Sequence, residues 1–355
     1  MLTADMGSAT AHAMREGLRA CIGAPPLNSP GHTLRRMVRR GMSALPFPGS
    51  GGTLTRWQAL SEVAAHDLSL VKLFEGHTDA LATMDELGAA PQAPPDATWG
   101  LWAAEAPGGR VLLDDPDSRS RSSDRVRLHG RKCWCSGAAE LSHALLTAWH
   151  TDGSGPYLVA VELAQPGVRV TQDGWHAVGM SASASVDVSF DGAPARRIGT
   201  AGDYLARPGF WQGACGIAAC WLGGARALAE TLRGDLHRHG KTGDTPFRWM
   251  ALGQVDVALT QTAATLREAA AWIDANPHAD ASTWALRTRL SAESAADKVL
   301  ATVGHALGAT PFCRDPAFAR LAADLPVFIR QSHAERDQVA LAERIVRSAS
   351  TPWTL

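Results

Sequence analysis

The stretch LHGRKCWCSGA at 128–138 gathers several of the chain's chemically capable side chains into eleven residues. Cys133 and Cys135 form a C-x-C pair, and in a strand two such side chains point the same way. Zinc sites need a second Cys or His pair at a set spacing. The sequence offers none, so no metal site is expected. Trp134 between them reads first as packing, the usual role of an aromatic in a strand. A flat aromatic beside a hydroxyl donor, here Ser136, is also what a planar ligand needs as a wall. Arg35, Arg36, Arg39 and Arg40 make a basic run. It reads as a solvated helix face, with a phosphate-bearing ligand as the alternative. No G-x-G-x-x-G follows a strand, so a Rossmann dinucleotide site is not indicated.

The elements that must position these residues change character along the chain. Its 355 residues imply two or three domains. The hydrophobic share of 45% and charged share of 19% are those of a globular protein. With 34 basic and 35 acidic side chains the net charge is −1, which gives no global field for nucleic acid or an anionic membrane. No run approaches the roughly 20 apolar residues of a membrane span. The first residues show no basic stretch followed by an apolar one, so no secretion signal is expected, and six scattered cysteines fit a reducing, cytoplasmic setting.

Residues 1–45 read as helical, and ALPFPGSGGT at 44–53 as a loop. From Thr55 an apolar stripe runs through Trp57, Leu60, Ala64, Leu68 and Val71, and a second helical stretch ends at Gly88. The proline-rich 89–100 reads as a linker. Short alternating runs then predict an antiparallel β domain, with Tyr157, Val159 and Val161 on one face and Val186, Val188 and Phe190 on another. After Gly202 helical periodicity returns, with later helices predicted over 281–309 and 326–348. The expected layout is a multidomain α+β chain. It has an N-terminal helical domain (1–95), a middle antiparallel β-barrel or sandwich domain (96–200) and a C-terminal four-helix bundle (201–355).

Three blocks in this order resemble the acyl-CoA dehydrogenases. LHGRKCWCSGA is similar to that family's strand motif, where a Gly-x-Lys step precedes Trp, a hydroxyl residue and Gly. GWHAVGMSASASVDVSFDG (174–192) resembles the next motif, and GACGIAACWLGGARAL (213–228) the first helix of the C-terminal bundle. The resemblance covers about 55–348. It implies an FAD flavoprotein, with loosely bound FMN as the alternative. Trp134 would flank the isoalloxazine ring and Ser136 would bond its reactive nitrogen edge. Glu105 and Ala106 occupy the place of a flavin-contacting turn, in which Ala104 replaces a hydroxyl residue. Arg238, Gly304 and Gly308 are the nearest matches to residues that a neighbouring subunit lends to the cofactor, although helix capping accounts for the glycines equally well. The resemblance also implies a homodimer or homotetramer, and the small residues in GACGIAAC and GGARALAE would let its helices approach closely.

The family's catalytic glutamate has no counterpart. Gln331 or Ser332 falls at its place, and the alternative position falls near Ala206. None can take a proton as a carboxylate in an apolar pocket does. Glu335 is the nearest carboxylate and His333 the second choice as base. His77 and His333 also stand where the family's flavin-dependent monooxygenases carry histidines, and a histidine can exchange a proton near neutral pH. Three functions are therefore expected in order. The first is FAD-dependent oxidation of the CH–CH bond of an acyl thioester such as an acyl-CoA, or of a related small substrate. The second is a reduced-flavin-dependent monooxygenase. The third is a catalytically inactive member that serves as a binding or assembly subunit.

Overall fold

The apolar stripe from Trp57 to Val71 is continuous in sequence, yet it belongs to two helices. In the computed structural model, which describes residues 13–23, 29–114, 124–239, 246–349 and 351–354, the chain turns at Asp67. Its backbone is extended (φ −158°), and its carboxylate accepts the Leu70 N–H at 2.7 Å. That bond caps a new helix, as an aspartate at this position does well. The N-terminal part is thus α1 (13–22), α2 (Pro30–Arg39), α3 (Thr53–His66) and α4 (Leu68–Glu86). The basic run lies on α2 and ties it down. Arg35 donates to the Glu140 carbonyl at 3.0 Å, and Arg39 to the Asp96 carboxylate at 3.2 Å.

The strands follow as β1 (Trp99–Trp102), β2 (Val111–Asp114), β3 (Arg125–Cys135), β4 (His143–His150), β5 (Tyr157–Glu162), β6 (Val168–Val170) and β7 (Val186–Ile198). They form one seven-stranded sheet that closes on itself, because β4 pairs with β2 and also with β5. The expectation of a purely antiparallel domain is corrected here. β1 and β2 both pair with β4 in parallel. Parallel neighbours need a long crossover, and the β2–β3 excursion supplies it. A bulge lies between Lys132 and Cys135, where Trp134 adopts a left-handed conformation (φ 58°). It interrupts the alternation on which the shared face of Cys133 and Cys135 was argued. Cys135 is fully buried, Cys133 only partly, and both are free thiols.

The C-terminal part holds α5 (Asp203–Ala206), α6 (Gly209–His239), α7 (Pro246–Ala275), α8 (Ser282–Leu307), α9 (Ala309–Arg314), α10 (Pro316–Phe328) and α11 (Glu335–Arg347). The single helix predicted over 326–348 is two, parted at 329–334, where Ser332 is extended and Ala334 has φ 45°. The small residues of α6 face inward. A Cβ on Gly223 would meet the Ser61 carbonyl and Ala64 of α3, so these glycines serve packing within the chain. One core runs from the N-terminal helices through the sheet interior into α6, α8 and α10.

The connection between β6 and β7 closely approaches the C-terminal helices at Gly179. A Cβ built on Gly179 would collide with the Ala323 carbonyl of α10. Backbone cannot yield there, so Gly179→Ala is expected to destabilise by about 1–3 kcal/mol, the scale of overpacking. Gly253 on α7 has open space around it, and Gly253→Ala is expected to stabilise by about 0.5–1 kcal/mol. Urea unfolding of the two variants checks both signs.

Candidate active site

The bulge that breaks β3 also aims its aromatic residue. Trp134 is 47% exposed, an unusual state for a tryptophan inside a strand, and its indole lines a cavity of about 590 Å³. The cavity is enclosed by α4, the end of β1, the bulge, the 180–185 turn, the start of α6 and the break after α10. Trp102, Trp175, Phe210 and Phe328 add aromatic wall. Its size is ordinary for a small-molecule site.

Two polar groups of side chains interrupt that wall. Ser136, Ser183 and Ser185 are buried and mutually bonded. The Ser183 hydroxyl donates to the Met180 carbonyl at 2.8 Å, Ser183 and Ser185 oxygens lie 2.9 Å apart, and Ser185 and Ser136 oxygens 2.8 Å apart. The Met180 N–H donates to the Asp324 carboxylate of α10 at 2.5 Å, and the Trp175 indole N–H to the Met180 carbonyl at 3.1 Å. These bonds fix the turn against both the sheet and the bundle.

The second group lies on α4. Lys72, Glu75 and Asp79 are spaced three and four apart, so they share one helix face, and all three line the cavity. Glu75 is 6% exposed, with Lys72 Nζ 3.2 Å from its carboxylate. Burial pushes its pKa up to about 7; Lys72 opposes the rise and neighbouring Asp79 adds to it. Asp79 is held by the buried Arg56 guanidinium at 2.6 Å. Tyr204, also in the wall, has its phenol pushed up to about 12 by burial.

The sequence-selected residues fall in different places. Trp134, Ser136 and His333 line the cavity, His333 mostly exposed at its mouth with Nδ1 3.5 Å from Asp337. His77 does not. It is buried, its Nδ1 accepts the Trp99 N–H at 3.2 Å, and burial lowers its pKa to about 4. Glu335 is exposed at the first turn of α11, outside the lining. Glu105 is engaged with the fully buried Lys132 at 2.9 Å and with Thr147; Ala104, not Ala106, reaches the cavity. Arg238 is exposed near the end of α6. Gly304 and Gly308 border a shallow pocket beside Phe312, and Gly308 is the residue that ends α8. Among the described residues no cluster of metal-ligating side chains occurs.

Glu75 was missed. Its signal was a carboxylate within LSLVKLFEGHTDAL, a helix too apolar to leave a charged face wholly in water.

No family model and no curated protein matches the sequence. Solved structures match its fold over nearly all its length. TdsC from Paenibacillus sp. A11-2, solved with FMN and indole, aligns with a TM-score of 0.76 at 20% identity, covering 98% of this chain and 97% of that one. KijD3, solved with FMN and a dTDP-linked amino-keto sugar, gives 0.72 at 19%, covering 98% and 94%. A variant of the Tcur3481-Tcur3483 steroid ACAD gives 0.76 at 18%, covering 96% and 98%. The chain has the acyl-CoA dehydrogenase fold. This agrees with the resemblance drawn from the three sequence blocks.

Glu75 has a stability consequence that needs no ligand. Its folded pKa of about 7 lies above the ordinary glutamate value of 4.5. The folded state therefore holds the proton more tightly, and stability from this group is lost as pH rises from about 4.5 through about 7. Glu75→Gln removes the titration. Its stability relative to the parent chain is expected to climb across that window and level off above it, as read by urea midpoints at pH 5 and pH 8.

Proposed function

We propose that the chain is a flavin-dependent oxidoreductase that takes hydrogen from a small substrate, with Glu75 as the proton acceptor. The observation that carries this reading is the half-exposed Trp134 indole, turned by a bulge into a cavity that also holds a buried carboxylate. The cavity fits an isoalloxazine ring in kind: aromatic walls at Trp134, Trp102 and Trp175, with hydroxyl oxygen at Ser136. A bound flavin, FAD in the first instance and FMN as the alternative, supplies a two-electron acceptor able to take a hydride. Glu75 then serves for the proton. Burial brings its pKa to about 7, where a general base works best near neutral pH. Lys72 holds the carboxylate, and Arg56 holds Asp79 beside it. The aromatic walls keep water from the reacting carbon.

The substrate class in this reading is an acyl thioester such as an acyl-CoA, or a related small molecule whose C–H bond is acidified by a carbonyl. A second reading, oxygenation with reduced flavin, is favoured by His333 at the cavity mouth and by the likeness to TdsC, a dibenzothiophene monooxygenase. Anaerobic mixing with acyl-CoA thioesters and aerobic assay with reduced flavin together separate them. Bleaching of bound flavin by acyl-CoA thioesters supports dehydrogenation. Oxygen uptake with an oxidised product, seen only when reduced flavin is supplied, supports the second.

Trp134→Ala is expected to weaken flavin binding by about 1–3 kcal/mol, the scale of a buried aromatic contact, as measured by fluorescence titration. Glu75→Gln should slow bleaching by about 10²–10⁴-fold with flavin still bound. Glu335→Gln tests the carboxylate expected from sequence: loss of bleaching there, with a normal Glu75→Gln, would overturn the assignment.

We also propose a homodimer or homotetramer. Phe247, Trp249, Met250 and Val257 leave apolar surface exposed on α7, a pattern that marks association sites. Light scattering is expected to give a multiple of the 37.5 kDa chain mass; a monomer with flavin bound would contradict it.

A further inference from the structure

A base that takes a proton from carbon leaves an electron pair behind, and beside a carbonyl that charge moves to the oxygen. The step then needs a donor for that oxygen on the side of the cavity that holds the base. Most donors in the wall are already engaged. Lys72 is committed to Glu75, and Arg207 donates to the Glu86 carboxylate at 2.6 Å. The Trp102 indole N–H donates to the Ser136 carbonyl at 3.2 Å, and that of Trp175 to the Met180 carbonyl at 3.1 Å. Tyr204 differs. Arg207 lies beside its phenol, but a guanidinium can only donate. Among the described residues none accepts the Tyr204 proton.

The fold also aims that hydroxyl. α5 is a single turn entered at Gly202, whose φ is 85° and whose N–H donates to the Pro156 carbonyl at 2.9 Å. On the other side, Glu86 of α4 accepts from Arg207 and from the Gly209 N–H at 2.8 Å. Between these ties the Tyr204 ring packs against Ala80 and Met84 of α4 and Leu158 and Ile198 of the sheet. Phe210 meets it edge-on with centroids 5.6 Å apart, and the Arg207 guanidinium lies 5.1 Å from its centroid. That cluster takes up the apolar ring. The residue reaches the cavity with its phenol, on which Glu75 and Asp79 both act.

We propose that Tyr204 is a catalytic residue that donates a hydrogen bond to the substrate's carbonyl oxygen while Glu75 removes a proton from the adjoining carbon. The inference rests on the flavin reading above and adds the substrate group that this side of the cavity recognises. The electrons balance as follows. The proton goes to Glu75, and the C–H pair shifts towards the carbonyl, whose oxygen gains charge under the Tyr204 hydroxyl. As hydride leaves the next carbon for the flavin, that pair closes the new carbon–carbon double bond and the oxygen loses its charge. Tyr204 keeps its own proton throughout. Burial makes this easy, since it holds the phenol protonated up to about pH 12.

The test removes one oxygen. Tyr204→Phe keeps the ring in its cluster and deletes the hydroxyl. Anaerobic bleaching of bound flavin by acyl-CoA thioesters is expected to slow by about 10²–10³-fold, the scale for losing one such donor. The dissociation constant of the thioester should change by no more than about threefold, because a neutral carbonyl gains little from the bond. A second measurement needs no hydride transfer. Acetoacetyl-CoA, whose enolate absorbs apart from its keto form, is titrated into the full chain. The parent protein is expected to raise the enolate band, and Tyr204→Phe to reduce that rise by about tenfold, as for a hydrogen bond to a charged oxygen. Bleaching and enolate band both unchanged in Tyr204→Phe overturn the inference and leave the flavin reading intact. A parent chain that holds flavin, yet is not bleached by thioesters and raises no enolate band, overturns the dehydrogenation reading and this inference with it.

Discussion

A buried ammonium governs where the β domain can bend. Lys132 has no exposed surface, and its charge is met by Glu105 at 2.9 Å and by the Thr147 hydroxyl and carbonyl. Burial still lowers its pKa. A buried ion of this kind tolerates only the arrangement that satisfies it, so β3 is held against β4 and the turn after β1. The next residues cannot continue the regular ladder, and the bulge falls at Trp134. Beyond it the Trp134 indole is exposed to the cavity and Ser136 stands at its wall.

The cavity then combines two opposed environments. The β side contributes aromatic faces and oriented hydroxyls. The α4 side contributes an ion set in which Arg56 satisfies Asp79, while Glu75 is left with only Lys72 against a large desolvation. The unequal pairing makes one carboxylate easy to protonate beside another held by a guanidinium. Environment, more than residue type, assigns their roles.

How much of this was legible depends on the range of the cause. The helix–strand–helix order, the strand faces and the Trp134 to Ser136 segment followed from periodicity and from motif resemblance, both short-range signals. The parallel pairing of β4 with β1 and β2 did not, since register between distant strands leaves no local mark. The helix break at Asp67 was written in a good capping residue but hidden by an uninterrupted apolar stripe. The break at 329–334 depends on Ala334 adopting a positive φ, which its side chain does not announce. Glu75 is set apart by burial on α4, a tertiary property that no local pattern marks. His77 illustrates the converse: a titratable residue at a suggestive place whose ring nitrogen is engaged by the Trp99 backbone.

The parting of α10 from α11 has a consequence for how this scaffold can diversify. Val327, Gln331 and His333 border the cavity from one short stretch at a place where the chain is already irregular. Trp134 and Ser136 border it from the end of β3, where that strand pairs with β7. Changes of length or side chain at the irregular stretch can reshape the entrance without shifting that wall, so the molecules admitted and the group that acts on them are free to vary on separate evolutionary schedules.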